Sequence, residues 1–215
     1  MGTSRSFSSA GLEKLIEHEG SIPYVYDDGD GTWPKAHISD YNTQGYPTIG
    51  VGHLIRSTEY EKYRPYLKGG GKLLSNSEMK SLLAADVERV SEAPLRDQIQ
   101  APITQSMWDA LVMQAFNTGA AARSIKNAVA AINREDYDAA RDALLNGPTS
   151  SKGRYLSALA KRRQYEADLF MADGYPTFFH SIPMAAWIGL TVLVCGGAIG
   201  GAIYYKKKQS TALTR

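Results

Sequence analysis

Apolar residues recur at helical spacing through most of the chain up to residue 170. The first run puts Leu12, Leu15 and Ile16 at positions i, i+3 and i+4, and a serine ahead of it, Ser8 or Ser9, can cap a helix. Further runs repeat this spacing, and SNSE ahead of the next one is a capping box. The pattern predicts a bundle of amphipathic helices. The apolar positions of the later runs are Met79, Leu82, Leu83 and Val87; Met107, Leu111, Val112, Ala115 and Phe116; Ala128, Ile132, Ala139, Ala140, Ala143 and Leu144; and Leu156, Leu159, Tyr165 and Leu169.

Residues 21–53 follow a different pattern. This segment is rich in Gly, Tyr, Asp and Pro, and it contains short alternating pieces such as YVY and YPTIGVGH. Such pieces between turn-forming residues predict a small irregular sheet. DDGDGT inside the segment resembles the opening of a calcium loop, but it lacks the later ligands and the closing Glu, so we interpret it as a turn. The predicted fold class is α+β and mainly α, with a small sheet near the amino end followed by a helical bundle.

A glutamate stands at an unexpected place on the first helix. Glu19 occupies position i+7 of the stripe that Leu12 begins, and Gly20 can end the helix directly after it. The spacing predicts that the carboxyl group lies on the buried edge of the helix. A carboxyl held against apolar neighbours has a raised pKa and can carry a proton near neutral pH. The alternative is a glutamate at a frayed helix end that reaches water.

The last part of the chain contains an uninterrupted apolar segment. Residues 182–205, IPMAAWIGLTVLVCGGAIGGAIYY, include no charged side chain. A helix of these 24 residues would be about 36 Å long, which exceeds the roughly 30 Å of a hydrocarbon core. Aromatic residues near both ends and KKK directly afterwards favour a single transmembrane helix over a buried core helix. The chain then divides into a domain (1–170), a linker (171–181), the membrane helix and a basic tail (206–215).

The apolar segment also indicates an orientation and a contact between helices. By the positive-inside rule, KKK keeps the basic tail in the cytoplasm and places the preceding domain on the other side of the membrane. Two overlapping small-xxx-small patterns, Gly196 with Gly200 and Gly197 with Gly201, would let two such helices approach closely. The only cysteine, Cys195, lies in the same segment, so no intrachain disulfide can form.

Composition supports a folded domain and argues against a nucleic-acid partner. Hydrophobic residues make up 43% of the chain and charged residues 21%, values that exclude a disordered class. The net charge is +2, but residues 181–215 hold four basic residues and no acid. The remainder carries 20 basic and 22 acidic residues, so it has no basic footprint for nucleic acid.

Several of these pieces together resemble the phage-type lysozymes, glycoside hydrolase family 24. Glu19, Tyr26 and Asp28, followed by YPTIGVGH at 46–53, resemble the catalytic segment of that family. There the order is Glu, eight residues, Asp or Cys, about five residues, and a Thr within TIGxGH. LSNSEMKSLLAADV, ALVMQAFNTGA and KRRQYEADLF resemble the later helices, so the resemblance covers roughly residues 9–170. It implies a lysozyme-like fold, with the apolar segment added after it.

The resemblance implies a role for each matched residue. Hydrolysis of a glycosidic bond needs one protonated and one ionised carboxyl group on opposite sides of the bond. Glu19 suits the acid, and Asp28, in a polar and turn-rich segment, suits the carboxylate that stays ionised. Thr48 is expected to hold the attacking water. Gly50 and Asn117 are expected to contact substrate.

Other charged residues receive structural interpretations. The family pattern pairs His53 with Asp86 of the next long helix, which would fix the sheet against the bundle. Arg162, Arg163 and Glu166 are interpreted as a charged helix face that packs between helices. No cofactor and no metal are expected.

The chain departs from the family pattern in one place. Nineteen residues, 29–47, separate Asp28 from Thr48 where the family usually has about five. We name this segment the insert and expect it to form a longer hairpin beside the cleft. Its length leaves other acids as candidates for the second carboxylate, although spacing from the first favours Asp28. These other candidates are Asp27, Asp30 and Asp40.

The sequence therefore predicts a muramidase that cleaves the β-1,4 bond between N-acetylmuramic acid and N-acetylglucosamine in peptidoglycan. We expect it to be anchored by one membrane helix, with its domain in the periplasm or outside, and to act in phage-driven lysis. One alternative is a virion-associated muramidase that opens the wall during entry. The other is a catalytically idle, membrane-bound wall-binding adaptor, against which the presence of Glu19, Asp28 and Thr48 argues.

Overall fold

The computed structural model describes residues 5–151 and 153–176. The predicted membrane helix with its glycine pairs, the linker from residue 177 and the basic tail lie outside the described residues. Among the described residues, no helix is both long enough and apolar enough to cross a membrane. The fold is α+β and mainly helical, as predicted. Its elements are α1 Ser9–Glu19, β1 Ile22–Asp27, β2 Pro47–Gly50, β3 His53–Leu54, α2 Tyr60–Tyr63, α3 Asn76–Val87, α4 Ala93–Arg96, α5 Gln105–Thr118, α6 Arg123–Ile132, α7 Tyr137–Leu145, β4 Ser150–Ser151, β5 Arg154–Tyr155 and α8 Ser157–Phe170.

Helix α1 has a well-defined start and end. Ser8 caps it, because its Oγ accepts a hydrogen bond of 3.0 Å from a backbone N–H of the first turn. The backbone N–H of Ser8 donates to Asp109 Oδ1 at 3.0 Å, which ties the cap to α5. Gly20 ends the helix with a φ of 74°, a conformation that glycine adopts without strain. Glu19 is therefore fixed at the last position of α1, where the chain turns into β1.

Three strands form a small antiparallel sheet in the order β1-β2-β3. Tyr26 pairs with Thr48 and Asp27 with Pro47, and Thr48 in turn pairs with Leu54 of β3. The insert is thus the long connection of the β1–β2 hairpin. It contributes only Pro47 to a strand, so it lengthens the loop of the hairpin rather than the hairpin itself.

A small apolar core lies under this sheet. Ile38 and Tyr41 of the insert are partly buried against it, so the insert belongs to this part of the molecule. We name the sheet, the insert and residues 55–74 the small lobe. The buried core residues are Val25, Ile49, Ile55, Tyr63, Leu67, Leu74 and Met79.

Helix α5 is the centre of the larger core. Every residue from Ser106 to Ala115 is buried, and residues of α1, α3, α6, α7 and α8 belong to the same core. The indole N–H of Trp108 donates to Glu92 Oε1 at 3.1 Å, which gives a buried polar group its partner. Helix α3 begins with the predicted capping box of Ser75 and Glu78, and continues through a π-helical turn into α4.

The compact unit continues past α8 and ends at Pro176. Asp173 Oδ2 accepts a hydrogen bond of 2.9 Å from the backbone N–H of Ser106. The hydroxyl of Tyr175 donates to Asp138 Oδ1 at 2.8 Å. Residues 171–176, the first part of the predicted linker, are therefore attached to the bundle.

Candidate active site

A cavity of about 380 Å³ opens beside the end of α1, and Glu19 lines it. The β2–β3 turn with its flanking residues forms one wall, and the α3 region and α5 form the other, so we name it the cleft. The remaining lining residues are Val51, Gly52, Leu54, Arg56, Asp86, Arg89, Val90 and Phe116. A larger cavity of about 650 Å³ is lined by α6, α7 and neighbouring loop residues, and it includes none of the site residues that the sequence predicts.

Glu19 points into the cleft rather than into the core. Its side chain is 31% exposed, so the prediction that it lies against buried apolar neighbours is wrong. The helical stripe does not apply at this position because α1 ends there and no further turn covers the residue. Glu19 Oε1 instead accepts a hydrogen bond of 2.7 Å from Arg162 Nη1 of α8.

A buried ionic network stands behind that contact. Glu166, whose side chain is 0% exposed, accepts hydrogen bonds from Arg162 Nε at 3.3 Å and from Arg163 Nη2 at 3.2 Å. Arg163 Nη2 also donates to Asn117 Oδ1 at 2.7 Å, so the amide that the sequence predicts to contact substrate is bound within the protein. The interpretation that these charged residues pack between helices is confirmed, but it missed the contact with Glu19. Their i, i+3 and i+4 spacing was the available signal.

Desolvation dominates the electrostatics of this network. Burial raises the pKa of Glu166 above its usual value, although Arg163, Gln114 and Arg162 act in the opposite direction. Burial likewise lowers the pKa of Arg163, which the Glu166 charge opposes. A network of this kind keeps its charges only while every partner is in place.

Asp28 directly follows the last residue of β1, whereas Glu19 precedes the strand. Its Oδ1 accepts a hydrogen bond of 2.6 Å from the backbone N–H of Tyr46, and its own N–H donates to Tyr46 O at 3.1 Å. Burial, the Asp28 charge and the Glu19 charge, in that order, raise the pKa of the Tyr26 hydroxyl to about 12. The charges of both carboxylates therefore contribute to the raised pKa of the same buried phenol.

The other candidate carboxylates have structural partners. Asp27 is buried and accepts hydrogen bonds from the backbone N–H groups of Gly29, Gln44 and Gly45 at 2.7–2.9 Å. Burial raises its pKa, but these donors outweigh the burial and leave the pKa below its usual value.

Asp30 and Asp40 serve local turns in the same way. The Lys35 ammonium and the Thr32 N–H lower the pKa of Asp30 to about 2. Asp40 accepts from the backbone N–H of Asn42 at 2.8 Å. In the part of the chain that the structure describes, no group of His, Cys, Asp and Glu side chains is arranged to hold a metal ion.

The two predicted residues of β2 lie in different surroundings. Thr48 is buried, and its Oγ1 donates to Tyr46 O at 3.0 Å, which leaves the hydroxyl oxygen free to accept. Gly50 has a φ of 68°, and a side chain there would contact Leu82 and Leu74. The Cα of Gly50 therefore faces apolar side chains, and Gly50 is not among the residues that line the cleft.

His53 and Asp86 are brought together by the fold. The Nδ1 of His53 lies 2.7 Å from Asp86 Oδ2, and Arg89 Nη2 donates to Asp86 Oδ1 at 2.6 Å. Burial raises the pKa of Asp86, but the hydrogen bonds from His53 and Arg89 outweigh it and hold the pKa below its usual value. The contact joins β3 to α3, as the sequence predicts for this pair.

Asp86→Asn is expected to lower the free energy of unfolding by about 1–3 kcal/mol, because a charged acceptor is lost between two packed elements. Turnover per folded molecule should change much less. Since the folded pKa of Asp86 is depressed, its stabilisation is present above the unfolded pKa of about 3.9 and disappears as pH falls through the folded pKa. Urea unfolding at several pH values should therefore show the two proteins converging in acid. Lost turnover with unchanged unfolding would contradict the structural role.

Fold and site together define a class of protein. A small sheet and a helical bundle hold Glu19 in a cleft, and a second, exposed acidic side chain, Asp28, directly follows β1. Hydrolysis of a glycosidic bond requires two carboxyl groups. The family described as Phage lysozyme matches residues 17–166, so the chain belongs to that family. It is a lysozyme-type glycoside hydrolase, and lysozymes of this family act on peptidoglycan.

Individual relatives cover most of the domain. The chain is 28% identical over 165 residues to the endolysin of Salmonella phage P22, covering 77% of this chain and 97% of that protein. It is 30% identical over 166 residues to the endolysin of Acyrthosiphon pisum secondary endosymbiont phage 1, covering 76% of this chain and 96% of that protein.

Solved structures agree with the fold. The crystal structure of a point mutant of P22 lysozyme is 26% identical, with a TM-score of 0.59 and coverage of 78% of this chain and 99% of that one. The endolysin from Escherichia coli O157:H7 phage FAHEc1 is also 26% identical, with a TM-score of 0.57 and coverage of 82% and 100%. The predicted lysozyme-like fold of the domain is confirmed.

Proposed function

We propose that this protein is a muramidase that hydrolyses the β-1,4 bond between N-acetylmuramic acid and N-acetylglucosamine in peptidoglycan. The observation that carries the proposal is the position of Glu19, which lines the cleft and accepts a hydrogen bond from Arg162 Nη1, in a chain of the phage lysozyme family. Similarity to phage endolysins supports a role in host lysis.

Each proposed role follows from the surroundings of the residue. Glu19 protonates the leaving oxygen of the scissile bond, and the Arg162 hydrogen bond sets the direction of its carboxyl group. Asp28, exposed and held by the backbone of Tyr46, acts as the carboxylate that stabilises positive charge developing on the sugar. Thr48 lies opposite Tyr26 in the sheet, and its hydroxyl oxygen orients the attacking water.

The direct test is the chemistry of the product. Purified peptidoglycan is incubated with the full chain in detergent, and the new reducing ends are identified after borohydride reduction. Reduced muramic acid is the expected product. Reduced glucosamine would mean cleavage of the other glycosidic bond, and cleaved peptide bonds without new reducing ends would overturn the proposal.

Asp28→Asn and Asp27→Asn are expected to have opposite profiles. The Asp28 variant should keep its melting temperature and lose activity by about 10²-fold or more, because a charge that stabilises the transition state is gone. The Asp27 variant should melt several degrees lower, because a buried carboxylate with three backbone donors is neutralised. Thermal unfolding and turbidity clearing of peptidoglycan measure both. If the Asp27 variant is stable but inactive, Asp27 rather than Asp28 is the second catalytic carboxylate.

The proposal includes a membrane anchor formed by residues 182–205. The uncharged sequence of this segment and the KKK after it support an anchor whose tail is cytoplasmic and whose domain faces the periplasm or the exterior. Such a tether would raise the local concentration of enzyme at the wall. The full chain should resist extraction from membranes by alkaline carbonate, and a chain ending at Pro176 should be released. Equal release of both would argue against the anchor.

A further inference from the structure

The insert is an ordered part of the small lobe. Lys35 O accepts a hydrogen bond of 2.9 Å from the Tyr24 hydroxyl, and Ile38 N donates to Val25 O at 3.1 Å. The imidazole of His37 stacks on the Tyr24 ring, with 4.5 Å between the ring centroids. The insert is therefore bound to the middle of β1.

One exposed side chain of the insert lies against Gly20. Trp33 is 71% exposed, and the tip of its indole, Cη2, lies 3.4 Å from the place that a Cβ on Gly20 would occupy. Gly20 directly follows Glu19 at the end of α1. The insert thus places a large aromatic side chain against the residue that follows the proposed general acid.

A second exposed ring stands at the other end of the insert. Tyr46 is 63% exposed, and its backbone forms both hydrogen bonds that hold Asp28. A side chain at Gly45 would collide with Asp28 Oδ1 and with the backbone of Gly29, so the close approach of the two ends requires glycine. The insert therefore has one exposed aromatic residue against the glycine that follows Glu19 and another whose backbone holds Asp28.

The surroundings of Trp33 suit a neutral, partly apolar ligand. Asp30 and Lys35 form an ion pair with 2.9 Å between Oδ1 and Nζ, so the nearest charges of the insert compensate each other. An exposed indole is a large apolar surface that gains free energy when it is covered. Hexosamine rings present such a surface, because the axial C–H bonds on each face of the ring form an apolar patch.

We propose that Trp33, assisted by Tyr46, forms a sugar-binding subsite that extends the cleft and stacks on a hexosamine ring of the glycan strand. The inference rests on the proposed muramidase function, because the two exposed rings belong to residues that contact Gly20, directly after Glu19, and Asp28. The insert is absent from the usual family spacing, so this subsite belongs to this chain. It recognises the sugar backbone rather than the peptides of the wall.

The test measures binding without turnover. Full chains in detergent that carry Glu19→Gln are titrated with long, soluble, uncrosslinked glycan strands in a calorimeter. Adding Trp33→Ala should raise the Kd about tenfold, which corresponds to about 1.4 kcal/mol, and Trp33→Phe should recover part of the loss. Tyr175→Ala is the matched control, because Tyr175 is a 53% exposed aromatic that contacts α7 rather than the insert. It should bind as tightly as the parent.

Titration with single disaccharides distinguishes a subsite on the insert from a general effect of the substitution on the protein surface. Trp33→Ala should raise the Kd for long strands more than the Kd for disaccharides, because only a long strand reaches from the cleft to the insert. An unchanged Kd for long strands, with the fold verified by thermal unfolding, overturns the subsite. An equal loss with Tyr175→Ala overturns it as well. Failure of the muramidase proposal is distinct, since it would appear as absent cleavage by the chain that retains Glu19.

Discussion

Glu19→Gln is expected to reduce peptidoglycan hydrolysis by about 10²- to 10⁴-fold, the contribution typical of a general acid. Glutamine keeps the shape of the side chain and an oxygen that can accept the hydrogen bond from Arg162 Nη1. It carries no proton that can be transferred to the leaving oxygen. The loss should therefore appear in turnover, while the strand still binds. Turbidity clearing and calorimetric binding of glycan measure the two quantities on the same protein.

Glu17→Gln is the matched control for this substitution. It makes the same chemical change two residues earlier on α1, at a side chain that is 65% exposed and paired with Lys14. Clearing by this variant should equal that of the unaltered chain. The melting temperature of the Glu19 variant should also stay close to the parent value, because Arg162 keeps its contact with Glu166. Full clearing by a folded Glu19→Gln protein would assign the acid to another residue.

Features that depend on neighbours in the sequence were predicted correctly. The Ser8 cap and the Ser75–Glu78 capping box are present, because each needs only residues within one helical turn. The helical runs became the bundle for the same reason, since apolar spacing decides which helix face is buried. The small sheet predicted from the alternating pattern of residues 21–53 is also present.

The surroundings of Glu19 were not predictable in this way. The helical stripe assigned it to the buried edge, but the stripe says nothing about what covers the last turn of a helix. The residue that covers it, Arg162, is 143 positions away. Its orientation depends on Glu166, which is buried only once α5 and α8 have packed. Contacts between residues this far apart in the chain leave no local pattern in the sequence, apart from the unusual spacing of the charges on α8.

The choice between Asp27 and Asp28 shows a similar limit. Asp27 is the last residue of β1 and is buried, whereas Asp28 begins the turn that follows β1 and is exposed. Sequence spacing favoured Asp28 without showing what Asp27 does. The folded insert supplies the answer, because backbone groups of Gln44 and Gly45 return to bind Asp27.

Glu166→Gln is expected to have the largest effect on stability, lowering the free energy of unfolding by about 3–5 kcal/mol. The substitution leaves the buried guanidinium of Arg163 without its carboxylate and leaves Arg162 with Glu19 alone. Gln114 Nε2 also loses a charged acceptor at 2.8 Å. Urea unfolding followed by circular dichroism measures the change.

Glu61→Gln is the control, because Glu61 and Arg64 form an Arg–Glu pair at the same three-residue separation on an exposed surface. Surface pairs contribute little, so its unfolding should match the parent. Below the melting transition, the Glu166 variant should also turn over more slowly, because Arg162 holds Glu19 through one guanidinium nitrogen and Glu166 through another. The Glu61 variant should keep full turnover. If Glu166→Gln unfolds like Glu61→Gln, the buried network does not hold α8 in place, and the orientation of Glu19 must come from the end of α1 itself.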